Sequence, residues 1–266
     1  MHAKPSESTG LEGRVALLTG STGGVGLQAA LGLAARGATV VLNGRSRERG
    51  EAALAQVRQV SPRAHLVTGD CADATEAARV VAEAAAWGTR LDIVVSAGAE
   101  GRVPPKPFAE MSADEIVTAW QSRLFPRIFP VHAAVPHLRE RGGAVVMLTT
   151  DAARHPTPGE SVVGAVGAGV ILMTKALAKE FSRWRIRVNS VAMTLTSETP
   201  SWDRIFGGQA AFQRELFAKL NDRFPAGRAP SAQEVAQVVV FLASDASAQV
   251  TGQTVSVNGG LSFGGW

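Results

Sequence analysis

The chain has 266 residues, 45% of them hydrophobic, with a formal charge of +4 and a single cysteine. That length and apolar content suit one α/β domain with a large core, and the lone Cys71 excludes an internal disulfide or a thiolate metal cluster and reads as a small buried hydrophobe in a reducing compartment. The arginines are scattered without charge blocks or aromatic interleaving, and no run reaches eighteen apolar residues, so neither nucleic acid nor a membrane is an expected partner.

The opening MHAKPSESTG has neither an apolar signal core nor a transit-peptide pattern, so residues 1–10 are expected to be a flexible tail on a cytoplasmic domain of residues 11–266. Short apolar runs then alternate with longer alanine-rich segments of helical period. RVALLT precedes a helix over 25–36, TVVLN one over 46–60, AHLVTG one over 73–87, and LDIVVSAG one over 112–139. AVVMLTT, a helix from Ser161, RVNSVA, an irregular stretch over 193–230, a helix from Ser231 and a strand around TVSVNGG complete the series. The strand runs are apolar throughout instead of alternating, which predicts a doubly wound parallel sheet of about seven strands covered by helices on both faces, a Rossmann-like fold. Ser112 with Glu115 and Ser231 with Glu234 have the spacing of capping boxes, so these helix starts are the best defined. Pro126 and Pro130 fall inside the fourth helix and predict a kink just past Arg123.

TGSTGGVG, residues 19–26, follows the first strand and runs straight into a helix. Gly20, Ser21, Thr22, Gly24, Val25 and Gly26 are therefore expected to hold a dinucleotide, because backbone N–H groups at a helix N-terminus meet the charge of a pyrophosphate. An acidic residue at the end of the second strand would accept from the adenosine ribose of NAD. Here VVLNGRSR puts Gly44 at that place and Arg45 after it, a cation for the 2′-phosphate of NADP(H), with NAD(H) the lesser candidate. Arg45 and Arg47 are also compatible with solvated residues that merely open the next helix.

TGSTGGVG, GDCAD, LDIVVSAG, KALAKEF, RVNSVA, FLASDAS and TGQTVSVNGG together resemble the short-chain dehydrogenase/reductase family over nearly the whole chain, residues 13–260. The resemblance implies that Asp70 and Cys71 lie at adenine and that Ser96, Ala97 and Gly98 line the cofactor. It further implies self-association as a dimer or tetramer through the fourth and fifth helices, and a catalytic tetrad of Asn, Ser, Tyr and Lys. In this chain Val163 stands at the tyrosine place, Gly167 at the lysine place and Arg123 at the asparagine place, and only Thr150 keeps a hydroxyl at the serine place. No shift of register restores the tetrad, since the chain contains no tyrosine.

Thr150, Asp151 and Arg123 are the candidates for catalysis. Arg123 has a fork of donors suited to a carboxylate, phosphate or ribose hydroxyl and a pKa too high for proton transfer; it is expected to enter volume vacated at Val163 and Gly167, or else to face solvent. Asp151 is the nearest acid, whose pKa burial would raise. His155 and Glu160 read as solvated loop residues. Glu198, Trp202 and Asp203 are candidates for the substrate side, and no metal ligands are expected. Three functions remain open: NADP(H)-dependent hydride transfer to an activated C=C or C=N group of a small molecule, a non-redox dehydratase, isomerase or lyase on the same fold, and a non-catalytic NADP(H)-binding or scaffold protein.

Overall fold

Seven parallel strands form one sheet in the order β3-β2-β1-β4-β5-β6-β7. They are β1 (Val15–Thr19), β2 (Thr39–Gly44), β3 (Ala64–Thr68), β4 (Ile93–Ser96), β5 (Gly143–Thr150), β6 (Ile186–Met193) and β7 (Thr254–Val257). The computed structural model describes residues 10–99, 101–207 and 211–263; apart from Gly10, the expected tail lies outside the described residues.

Alternate side chains of each strand feed two cores. Ala16, Leu18, Val40, Leu42, Val95 and Val146 pack under α1 (Gly24–Ala34), α2 (Arg47–Val60) and α8 (Ala232–Ala243). Leu17, Val41, Val94, Val145 and Met147 pack under α3 (Ala74–Gly88), α4 (Ala113–Leu138) and α5 (Ser161–Phe181) on the other face. Covering both faces is what makes the central strands β1 and β4 apolar at nearly every position. By length and composition α5 passes for a membrane span. Its apolar character is accounted for by Val170, Ala178 and Phe181, which are buried against the sheet.

Both capping boxes form, with Ser112 and Ser231 accepting from the backbones of Glu115 and Glu234 while each glutamate reaches back to its serine's N–H. One expectation needs correction. The stretch 193–230 contains two helices, α6 (Pro200–Gly207) and α7 (Ala211–Asn221). They form because Trp202, Ile205, Phe206, Phe217 and Leu220 close a small apolar cluster of their own with Leu195 and Phe224. In α4 the helical backbone runs unbroken past Arg123 to Leu138 despite Pro126, Pro130 and Pro136. Pro130 cannot donate to the carbonyl of Pro126, and the buried Ser96 hydroxyl stands 3.4 Å from that oxygen and donates to Arg127 O at 2.8 Å.

Candidate functional site

A cleft of about 1010 Å³ opens where the strand order reverses between β1 and β4, at the carboxyl ends of the strands. Of the candidates named above, Gly20, Thr22, Gly24, Val25, Gly26, Arg45, Asp70, Cys71, Ala97, Gly98, Arg123, Thr150 and Asp151 line it. Two do not. Ser21 is wholly buried and donates to Leu18 O at 2.7 Å, and Ser96 is turned onto α4 as described.

At the dinucleotide end the backbone is packed so closely that side chains are excluded. A Cβ at Gly20, where φ is +64°, would lie 2.6 Å from Gly98 Cα, and a Cβ at Gly26 would collide with Gly20 O. The bared N-terminus of α1 therefore faces an open concave floor, a cradle that fits a pyrophosphate. Gly44 is held less tightly: a Cβ there would meet the Thr22 side chain, its methyl group at 2.4 Å. Arg45 and Arg49 line the cleft beside it. Asp70 accepts from Ala72 N at 2.9 Å and pairs with Arg102 at 3.5 Å. The Cys71 thiol donates to Asn43 Oδ1 at 3.3 Å, and burial pushes its pKa up to about 12, so this sulfur is a structural group.

At the other end α5 lies close on β5. The volume expected to be vacated at Gly167 does not exist, because a Cβ there would stand 2.6 Å from Thr150 Cγ2 and 2.9 Å from Ala153 Cβ. A Cβ at Gly164 would meet Ala152 O at 2.5 Å. With glycine at both positions the helix lies close on the strand, and Thr149 Oγ1 donates to Gly167 O at 3.1 Å. Thr150 accepts from Ala152 N at 3.2 Å. Asp151, only 4% exposed, has its carboxylate occupied by Asn258 Nδ2 at 3.2 and 3.3 Å and by the Ser262 hydroxyl.

The titratable groups left to the cleft come from elsewhere. Glu160, directly before α5 and three residues before Val163, lines the wall, and loss of solvation lifts its carboxyl to about 7, with nearby Arg123 pulling in the opposite direction. His155, on the same wall, has a buried Nε2 with no partner. Arg123 donates to Val103 O at 2.9 Å, and desolvation lowers its pKa. Arg127, one turn further along α4, donates to Leu148 O at 2.7 Å and to Arg123 O, and desolvation with the charge of Arg123 brings it down to about 10. On the substrate side Trp202, Arg204 and Ile205 line the cleft, whereas Glu198 and Asp203 do not. Sequence reasoning passed over Arg127 and Arg49 and set Glu160 aside. The available signal for Arg127 was its i+4 spacing from Arg123 on one helix face.

The comparisons with known proteins agree with this geometry. A family model described as Enoyl-(Acyl carrier protein) reductase matches residues 20–262. The chain is 31% identical to the 3-oxoacyl-[acyl-carrier-protein] reductase FabG of Thermotoga maritima over 94% of its own length and 98% of that protein's. It belongs to the short-chain dehydrogenase/reductase family. Another family member, the (2S)-[(R)-hydroxy(phenyl)methyl]succinyl-CoA dehydrogenase subunit BbsD of Thauera aromatica, is 34% identical over 96% of this chain and 98% of its own. Among solved structures, an apo short-chain oxidoreductase from Pseudomonas aeruginosa containing an atypical catalytic center is 31% identical with a TM-score of 0.84, covering 94% of this chain and 97% of that one.

Proposed function

We propose that this short-chain dehydrogenase/reductase is an NADP(H)-dependent oxidoreductase that delivers hydride to an activated C=C, C=N or similar group of a small molecule without a tyrosine acid. The observation that carries the reading is a complete dinucleotide cradle opening onto an end wall built from Val163 and Gly167. A nicotinamide bound in the cradle supplies the hydride. Preference for the phosphorylated cofactor is supported by glycine at position 44, which offers no carboxylate to the ribose, and by Arg45 and Arg49 on the same rim.

The remaining steps fall to the chain's own groups. Arg123 and Thr150 orient the acceptor by hydrogen bonds, and Glu160, titrating near neutrality, holds the proton that completes the reduction. Asp151, taken by Asn258 and Ser262, serves to anchor the segment after β5. An acceptor that is already polarised, such as an enone or iminium, needs less from the acid than a plain ketone does. The Pseudomonas oxidoreductase with its atypical catalytic center lends support by precedent of type. Self-association as a dimer or tetramer is part of the same proposal, supported by Val117 and Trp120 on α4 and Leu172 on α5, large apolar side chains left in solvent, as is a cytoplasmic location.

The test is the absorbance of NADPH during incubation with electron-poor alkenes, cyclic imines and simple ketones. Loss of NADPH with the first two classes and not with ketones is the expected result. Turnover of a substrate without any net change in cofactor would replace the reading by a non-redox enzyme, and binding without turnover of any panel member by a cofactor-binding protein.

A further inference from the structure

Arg123 and Arg127 present a problem of charge. Arg123 uses Nη2 on Val103 O and leaves its buried Nε with no acceptor. Arg127 uses Nε on Leu148 O and Nη1 on Arg123 O. All of these acceptors are neutral carbonyls, and neither guanidinium has an ion pair among the described residues. Two cations one helical turn apart, both desolvated, repel each other and lack the counter-charge that such groups normally require.

The surroundings do not supply it. Asp151 keeps its charge but turns it onto the neutral donors Asn258 and Ser262, and it is not among the charges that act on Arg123 or Arg127. Glu160 is the carboxyl that acts on Arg123, and with its pKa lifted to about 7 it cancels only part of one charge at neutral pH. From the opposite wall α6 contributes Arg204, the segment after α7 contributes Arg223, and the segment after β5 contributes His155, so the other charged or titratable groups lining this end add no negative charge. The dinucleotide's phosphates belong at α1, beside the glycine loop, and the adenosine rim has its own arginines in Arg45 and Arg49.

We infer that the substrate end of the cleft is an oxyanion site, in which Arg123 and Arg127 receive a carboxylate or phosphoryl group carried by the ligand. The site itself follows from the charges; its assignment to the substrate rests on the hydride-transfer reading and makes the acceptor an unsaturated acid or phosphate ester. Glu160 then sets the pH dependence of the site. Protonated, it leaves both arginines to the ligand; ionised, it competes for Arg123 and repels the incoming anion.

The experiment is calorimetric titration at low ionic strength of the cofactor-free protein, and of the protein with saturating NADP+, using crotonate, inorganic phosphate and the neutral crotonamide as probes. At pH 6 one of the anions should bind at least about tenfold more tightly than crotonamide, and the advantage should shrink about tenfold by pH 8. Crotonate alone assigns a carboxylate, and phosphate alone a phosphoryl group. Glu160→Gln should remove the fall with pH while keeping the binding at pH 6. Arg123→Gln should lose the discrimination, and Arg127→Lys, which keeps the charge but not the fork, should lose part of it, each variant first being shown to melt as a folded protein. Equal binding of crotonate, phosphate and crotonamide, or full discrimination in Arg123→Gln, overturns the inference. Failure of NADP+ to bind overturns the hydride-transfer reading instead, and the cofactor-free arm still decides the anion site.

Discussion

Glu160 and Gly167 show how single side chains rebuild this cleft. Glu160 is harder to ionise in the folded chain than in the unfolded one, because the wall removes water from its carboxyl. A raised carboxyl pKa makes folding most favourable below the ordinary value, and that contribution is lost as pH rises to about 7. Stability should therefore fall between pH 5 and pH 8 by on the order of 1–3 kcal/mol, and Glu160→Gln should abolish that fall. Urea unfolding at the two pH values checks it, and an unchanged slope in the variant would remove Glu160 as the source. Gly167 makes the opposite point. A lysine there must push Thr150 and Ala153 aside before its amine reaches anything, so Gly167→Lys should cost about 1–3 kcal/mol by overpacking. The double change Val163→Tyr with Gly167→Lys should accordingly give no efficient ketone reduction, which an NADPH assay reads directly. The absence of any tyrosine was legible from residue identity alone. The closure of α5 on β5 was not, because it depends on a backbone approach that residue types do not encode.

At the scale of elements, the strands and most helices were legible because each is signalled locally, by an apolar run, a capping serine or a period of 3.6. Both capping boxes formed for that reason. The helices α6 and α7 were not read, since their apolar residues are few and gain a partner only when Leu195 and Phe224 are brought beside them by the fold. α4 stays helical through three prolines, whose local cost predicts a kink and not an end to the helix. That cost is still present. Pro136 is exposed and lies within the helix, so Pro136→Ala should restore an N–H for the carbonyl of His132 with little loss of packing. Against roughly 3 kcal/mol for proline in a helix interior stands up to about 1 kcal/mol of lost chain stiffness in the unfolded state, giving a net gain of about 2–3 kcal/mol. Thermal unfolding should show a higher Tm. An unchanged or lower Tm would mean that α4 is already relaxed around its prolines.

Across the whole molecule, the two ends of one cleft have followed different courses. The dinucleotide end has a backbone arrangement in which added side chains collide, while the substrate end is lined by Arg123, Arg127 and Glu160. The contrast is itself physical. A cradle made of backbone N–H groups tolerates few substitutions, whereas side-chain chemistry on a rigid sheet can be replaced without disturbing the strands beneath. Cofactor choice tests the dinucleotide end. With a glycine at position 44, the proposed discrimination falls to cations on the rim, and a charge-assisted contact to a 2′-phosphate contributes about 1.5–3 kcal/mol, or roughly 10–100-fold in affinity. Arg45→Ala should weaken NADPH by that factor and leave NADH nearly unchanged, as read by calorimetry with each cofactor. Saturation supplies an independent reading of the same quantity. At about 100 times its dissociation constant a ligand stabilises the fold by roughly 2.7 kcal/mol, so at a fixed NADPH concentration the thermal shift should shrink in the variant while the shift with NADH stays the same. Equal loss of both cofactors would place Arg45 at the shared pyrophosphate or ribose, and would transfer the discrimination to Arg49.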